Sequence, residues 1–147
     1  MNIKIEEYWV KKYPKLFQEY NNKKSSMYYN GCKCGDGWFH ILDELWEELS
    51  KEDVILNQVK EKFGLLDIHI KEFNKDIYDI IQKAVEKSSR VCELCGSPAN
   101  IQIKENILFT LCDKCFILEK NLRKYINKKH IDKIILEIEK EIKYGNC

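Results

Sequence analysis

Two Cys-x-x-Cys pairs, Cys92–Cys95 and Cys112–Cys115, lie sixteen residues apart in a chain of 147 residues. Two thiolates three positions apart can bind one ion from a tight turn, and a second such turn completes the tetrahedron of sulfur ligands that Zn²⁺ prefers. Gly96 follows the first pair, where the chain must double back and glycine adopts positive φ without penalty. The spacing predicts a closed, structural four-cysteine zinc site with no open coordination position. The alternatives are two disulfides or four buried free thiols.

The residues around these cysteines predict a small β-hairpin followed by helix. Asn100–Lys104 and Ile107–Leu111 have the composition of two strands joined at a short turn, which would bring the two cysteine pairs side by side. The stretch after Cys115 has helical spacing of apolar residues. Helix after the second pair favours a treble clef over a plain zinc ribbon.

The rest of the chain predicts a helix-rich α+β domain. A helix from Trp38 to Ser50, capped by Asp36, follows from apolar positions at three- and four-residue steps. Leu66–Ile70 alternates as a strand, and Gly64 can join it to a hairpin partner within residues 54–63. Further predicted helices cover Ile5–Lys12, residues 75–87 after a cap at Asn74, and residues 130–144. We expect an N-terminal part, 1–90, and a zinc-binding part with C-terminal helices, 91–147, in one compact unit.

Composition narrows the class of protein. Apolar residues make up 44% and charged residues 33%, which is typical of a globular domain. The sequence has no signal segment and no long apolar run, so we expect a cytoplasmic protein, in the host cell if it is phage-encoded, with no membrane association. The net charge of +1 gives no bulk electrostatic case for binding nucleic acid.

Charge is nevertheless unevenly distributed along the chain. One stretch is acidic and another, beyond the last cysteine pair, is basic, and each is either a solvated helix face or an interaction surface. The candidate partner-binding residues are Asp43, Glu44, Glu47 and Glu48 in the acidic stretch, and Lys120, Arg123, Lys124, Lys128 and Lys129 in the basic one.

A second pair of cysteines, Cys32 and Cys34, precedes the predicted helix at Trp38. Three interpretations stay open: a second metal site completed by His40, or by His69 or Cys147; a reactive thiol activated by the helix N-terminus; or small buried residues in a turn. The spacing Cys-x-Cys suits one ion less well than Cys-x-x-Cys.

Patterns typical of enzymes are missing from the sequence, which contains no HExxH, P-loop, GxGxxG or GxSxG motif. We therefore expect a protein without catalytic activity. The terminal segment 130–144 carries isoleucines in a narrow stripe, which would pack either on the core or on a second copy in a homodimer.

Four segments together resemble a group of small, uncharacterised proteins encoded by phages and prophages. They are Cys34–Trp38 (CGDGW), Gln58–Gly64 (QVKEKFG), Ser89–Gly96 (SRVCELCG) and Leu111–Cys115 (LCDKC), in the same order, and the resemblance covers about residues 8 to 116. It implies a phage accessory protein of unassigned biochemistry. The chain departs from the group at Leu65–His69, where members have a strand with Arg and aromatic residues, and in its long end after Cys115.

These observations predict a zinc-binding phage or prophage accessory protein that docks on a protein or ribonucleoprotein, such as a host defence complex of the CRISPR type. The acidic stretch would occupy a basic channel in place of nucleic acid. The alternative is a nucleic-acid-binding adaptor that uses the basic stretch. A third class, a thiol or metal enzyme centred on Cys34, requires a depressed thiol pKa.

Overall fold

A computed structural model describes residues 1–20, 31–72, 74–104 and 106–118 of the chain. The predicted α+β class is confirmed. Residues 113–118 are helical, and of the helix predicted after Cys115 they include the first three positions, 116–118. The basic stretch and the segment 130–144 lie outside the described residues. The elements in chain order are helix α1 (Ile3–Lys12), strand β1 (Cys32–Lys33), helix α2 (Phe39–Leu49), strands β2 (Leu56–Lys62) and β3 (Leu65–Ile70), helix α3 (Lys75–Ser88), and strands β4 (Asn100–Lys104) and β5 (Ile107–Leu111).

The helices begin where side chains or turns can satisfy their first amides. The Asn74 side chain accepts a hydrogen bond from the Ile77 N–H and caps α3, as predicted. The predicted cap of α2 is wrong. A 3-10 turn over Asp36–Trp38 runs directly into α2 without a side-chain cap, and Asp36 Oδ1 instead accepts the Asn2 N–H at 2.6 Å.

Two small sheets complete the fold. In the first, β2 lies in the middle, antiparallel to β3 and parallel to β1. The turn between β2 and β3 has positive φ at Phe63 (56°) and Gly64 (78°), and the predicted hairpin through Gly64 is confirmed. The second sheet is the predicted hairpin of β4 and β5, which pair antiparallel with Asn100 opposite Leu111.

The apolar core is built around three tryptophans, Trp9, Trp38 and Trp46, which are all 0% exposed. The Trp9 ring stacks on Phe39 with 5.5 Å between ring centroids and meets Trp46 edge-on at 6.0 Å. The apolar stripe of α2 faces this core, and α3 packs against both α2 and β3. The helical periodicity read from the sequence therefore marks the buried faces correctly.

Packing divides the chain into two compact units, Met1–Cys112 and Asp113–Cys147. The first contains every element from α1 to β5, and of the second the structure describes residues 113–118. The division into 1–90 and 91–147 stays a prediction. No helix in the described ranges is long and apolar enough to cross a membrane.

Candidate metal centre

The first cysteine pair lies in a tight turn that we call the knuckle, residues 91–98. Val91 and Pro98 form an antiparallel bridge across its base, and the Cys92 N–H donates to the Ser97 carbonyl at 2.7 Å. Gly96 has the predicted positive φ, 76°, and its N–H donates to the Cys92 carbonyl at 2.9 Å. This turn places both thiols of the pair on one side of the chain.

The hairpin of β4 and β5 returns the chain to the knuckle. The Glu93 N–H donates to the Thr110 carbonyl at 2.9 Å, so the end of β5 is hydrogen-bonded to the turn between the first two ligands. Cys112 follows β5 directly, and Cys115 lies within the helical residues 113–118. Strand pairing thus brings residues about twenty positions apart in sequence to one place.

The sulfur atoms of Cys92, Cys95, Cys112 and Cys115 all lie within 4.8 Å of one another. The sulfurs of Cys95 and Cys112 are 3.7 Å apart. A tetrahedral ion with Zn–S bonds of about 2.3 Å requires sulfur–sulfur distances of about 3.8 Å. The four residues therefore form a site that could hold a metal ion, and an all-sulfur donor set suits Zn²⁺.

The state of the thiols agrees with ligation. Within the described residues, the six cysteines are thiols and form no disulfide, so the disulfide alternative is not adopted there. Cys92 is buried, Cys112 and Cys115 are partly exposed, and Cys95 is exposed. Within the described part of the chain, these four form the one group of three or more Cys, His, Asp or Glu residues that could hold an ion.

A loop from the N-terminal part, Cys34–Trp38, lies directly against the knuckle. The Gly37 N–H donates to the Glu93 carbonyl at 2.7 Å, and the Gly35 N–H donates to Glu93 Oε1 at 2.8 Å. A Cβ atom on Gly37 would lie 2.2 Å from the Cys92 carbonyl oxygen, and one on Gly35 would lie 2.3 Å from the Glu93 carbonyl oxygen. Both glycines are therefore required by close approach of two backbones.

Two further contacts fix the knuckle and its hairpin to the fold. Trp38 Nε1 donates to the Val91 carbonyl at 2.8 Å, and the Thr110 hydroxyl donates to the Gly64 carbonyl. These contacts do not follow from the sequence pattern. The glycines in CGDGW and QVKEKFG are a signal of close approach, but a local turn explains them equally well.

Cys32 and Cys34 are both buried, and their thiols share a hydrogen bond. That hydrogen bond and burial raise the pKa of the Cys34 thiol well above its usual range, which is the opposite of an activated thiol. The third proposed ligand, His40, is exposed on α2 with its ring edge-on to Phe39. Among the described residues, no third ligand joins the two cysteines in a cluster. This geometry favours the interpretation of Cys34 as a small buried residue.

The acidic candidates on α2 have different surroundings. Asp43 Oδ1 accepts hydrogen bonds from Trp9 Nε1 at 2.9 Å and from Lys12 Nζ at 3.4 Å, so Asp43 serves the packing of α1 against α2. Three carboxylates are exposed. Of these, Glu44 pairs with Lys87 of α3, Glu48 pairs with Lys51, and Glu47 also lies on the solvent face of α2.

We compared the chain with known proteins. No protein-family model, no curated protein and no solved structure matches it.

Proposed function

We propose that this protein is a zinc-stabilised, non-enzymatic protein that acts by docking on a macromolecular partner. The observation that carries the proposal is the four-cysteine cluster itself. Four thiolates fill all four positions of a tetrahedral ion, so such a metal offers no site for a substrate or a reactive water. A metal of this kind stabilises the fold, and the activity of the protein then depends on its surface.

The solvent face of α2 is the surface that best supports docking. It presents Glu44, Glu47 and Glu48 on a helix that is held rigidly, because the opposite face is buried in the tryptophan core. A charged row on a rigid element can steer and orient a partner. Asp43 contributes to packing and not to this surface.

The finer proposal concerns the biological setting. The four sequence segments described above support a phage or prophage accessory protein, and the acidic face supports a partner that normally binds nucleic acid, such as a host defence complex of the CRISPR type. The rival proposal, a nucleic-acid adaptor, rests on basic residues outside the described part of the chain.

Native mass spectrometry of the purified full chain tests the metal. We expect one zinc ion per chain, lost together with the fold of the hairpin when a chelator is added. A chain that folds normally and carries no metal would contradict the proposal.

Charge reversal on α2 tests the docking surface. We expect the variant Glu44→Lys, Glu47→Lys, Glu48→Lys to lose a partner captured from host lysate, and the wild-type affinity to fall steeply with salt. The matched control is Glu7→Lys, Glu72→Lys, Asp76→Lys, which makes the same change in net charge at exposed positions elsewhere. An equal loss of partner binding in both variants would show that binding depends on net charge alone. Binding of random DNA or RNA at low salt, without any protein partner, would favour the adaptor.

A further inference from the structure

A groove runs between α2 and α3 and ends beside the knuckle. It consists of two hollows of about 190 and 630 Å³, which share Ile41, Glu44, Lys83 and Lys87 and are therefore continuous. The floor of the smaller hollow is apolar, and the larger hollow extends to glycines of the Cys34–Trp38 loop and of the knuckle. Apolar grooves between two helices are a common docking place for a third helix.

The two walls of this groove carry opposite charges. The α2 wall presents Glu44 and Glu48, and the α3 wall presents Lys83 and Lys87, each pair one helical turn apart. Arg90 continues the basic wall toward the knuckle, where Glu86, its ion-pair partner at 3.2 Å, also lines the larger hollow. The groove is therefore a channel with an acidic side, a basic side and an apolar floor.

These charges are available to an incoming partner. Lys83 makes no ion pair with any residue that the structure describes. The pair that spans the groove, Lys87 with Glu44, has side chains that are 57% and 65% exposed. Pairs exposed to this degree are weakly held because solvent screens them, so a partner that offers equivalent ions can replace them.

We propose that this groove binds one amphipathic helix of the protein partner. The apolar ridge of that helix would enter the two hollows, a basic row would lie along Glu44 and Glu48, and an acidic row would lie along Lys83 and Lys87. This inference rests on the proposed docking function and specifies its surface and its partner. Nucleic acid fits the groove poorly, since a backbone of one sign is repelled by one of the two walls.

The groove proposal and simple imitation of nucleic acid predict opposite effects on binding when the charges of the α3 wall are reversed. If only the acidic face matters, the variant Lys83→Glu, Lys87→Glu makes that region more acidic and strengthens binding. If the groove matters, the same variant weakens binding as much as Glu44→Lys, Glu48→Lys does. Two exposed positions outside both hollows serve as controls, Glu72→Lys just before α3 and Lys75→Glu on α3.

Synthetic helices of about 18 residues, roughly five turns, provide the probe. One peptide has a leucine ridge with lysines on one flank and glutamates on the other, and two matched peptides carry lysines or glutamates on both flanks. Fluorescence anisotropy with the zinc-loaded full chain measures affinity. We expect the mixed peptide to bind about tenfold more tightly than either matched peptide, and each wall variant to lose about tenfold while both controls keep wild-type affinity.

A variant in which the charges of the two walls are exchanged provides a rescue test. The variant Glu44→Lys, Glu48→Lys, Lys83→Glu, Lys87→Glu should bind the mixed peptide again, because turning the helix end for end exchanges its two flanks. This outcome also shows that the substitutions leave the fold intact. Tightest binding by the all-lysine peptide, or no binding by the mixed peptide, would overturn the groove proposal. Capture of a partner through the face of α2 could still succeed in that case, so the two failures are distinguishable.

Discussion

The tryptophan core and the knuckle with its hairpin, residues 91–111, are held together by different forces. The core buries Trp9, Trp38 and Trp46 completely, together with the apolar face of α2. In the hairpin, by contrast, Ile101, Ile103 and Ile107 are 43%, 71% and 47% exposed. Burial of apolar surface supplies the main favourable term in folding, and the hairpin obtains little of it. The core can therefore fold on apolar burial, whereas the hairpin has to depend on its contacts with the core and on the metal ion that we propose.

Metal removal should give the largest difference between the two regions. A structural zinc site contributes roughly 10–16 kcal/mol of apparent binding free energy, most of which is folding free energy. With Cys95→Ser or a chelator, we expect amide protection to be lost across β4 and β5 and kept in α2 and α3, as hydrogen exchange would measure. Loss of amide protection to the same extent in both regions, or its retention in both, would contradict the conclusion that different forces stabilise the core and the hairpin.

The variant Gly37→Ala should disrupt the contact between the two regions without changing a cysteine of the metal site. Its Cβ would lie 2.2 Å from the Cys92 carbonyl oxygen, so the loop or the knuckle must shift, at a cost of about 3 kcal/mol in the free energy of unfolding. Asp36→Ala is the control, and removes only the bond to the Asn2 N–H, at about 1 kcal/mol. We also expect Gly37→Ala to weaken zinc affinity in a competition assay. Equal losses in the two variants would show that the close approach is unimportant.

Thr110→Val should test the second contact between the regions. The hydroxyl of this fully buried residue donates to the Gly64 carbonyl, and its loss leaves that carbonyl without its partner, which costs about 1–2 kcal/mol. Ile103→Ala in the same hairpin removes an exposed side chain and should change stability by less than about 0.5 kcal/mol. Denaturant unfolding of the zinc-loaded chain compares the two, and a larger loss in Ile103→Ala would count against this account.

The smallest expected effect lies inside the core region and depends on pH. Burial raises the pKa of Glu6 above its ordinary value of 4.5, although the Cys32 N–H donates to its carboxylate and opposes the shift. Between 4.5 and the raised folded value, the unfolded state releases this proton while the folded state keeps it, so stability falls as pH rises through that window. Glu6→Gln keeps an acceptor for the N–H and cannot ionise. At pH values above the window, we expect Glu6→Gln to be more stable than the wild type by on the order of 1 kcal/mol, and below the window we expect no such advantage. Unfolding curves with the same pH dependence in both proteins would refute this explanation.

Patterns in the sequence correctly predicted the features that depend on residues close to one another in the chain. The apolar stripes of α2 and α3, the cap at Asn74, both hairpins and the four-cysteine spacing all follow from residues within a few positions of one another or from a fixed ligand spacing. The parallel pairing of β1 with β2 does not, because it joins residues 27 positions apart, such as Cys32 and Val59, through a connection that contains helix α2. Asp36 was misassigned for the same reason, since its partner is Asn2.

The four segments CGDGW, QVKEKFG, SRVCELCG and LCDKC meet in space. CGDGW touches the first cysteine pair through Gly35 and Gly37, and the glycine of QVKEKFG, Gly64, lies beside Thr110 just before LCDKC. These segments are therefore accounted for by the packing of the knuckle onto the core. We expect any protein that carries these four segments to have the same scaffold, and the residues that select a partner have to be sought on other surfaces, such as the groove between α2 and α3.

The unequal exposure of the four cysteines would give a bound metal ion a preferred order of release from them. Cys92 is 0% exposed, whereas Cys95 lies at the surface. A competing chelator or an electrophile such as an oxidant must approach a sulfur atom before it can take over a bond, and the buried sulfur of Cys92 is shielded from both. Demetallation should thus begin at Cys95 and end at Cys92, and the last thiolate to release the ion is the one beside the Cys34–Trp38 loop. Partial oxidation of the site would then leave the ion, for a time, attached to the knuckle through Cys92.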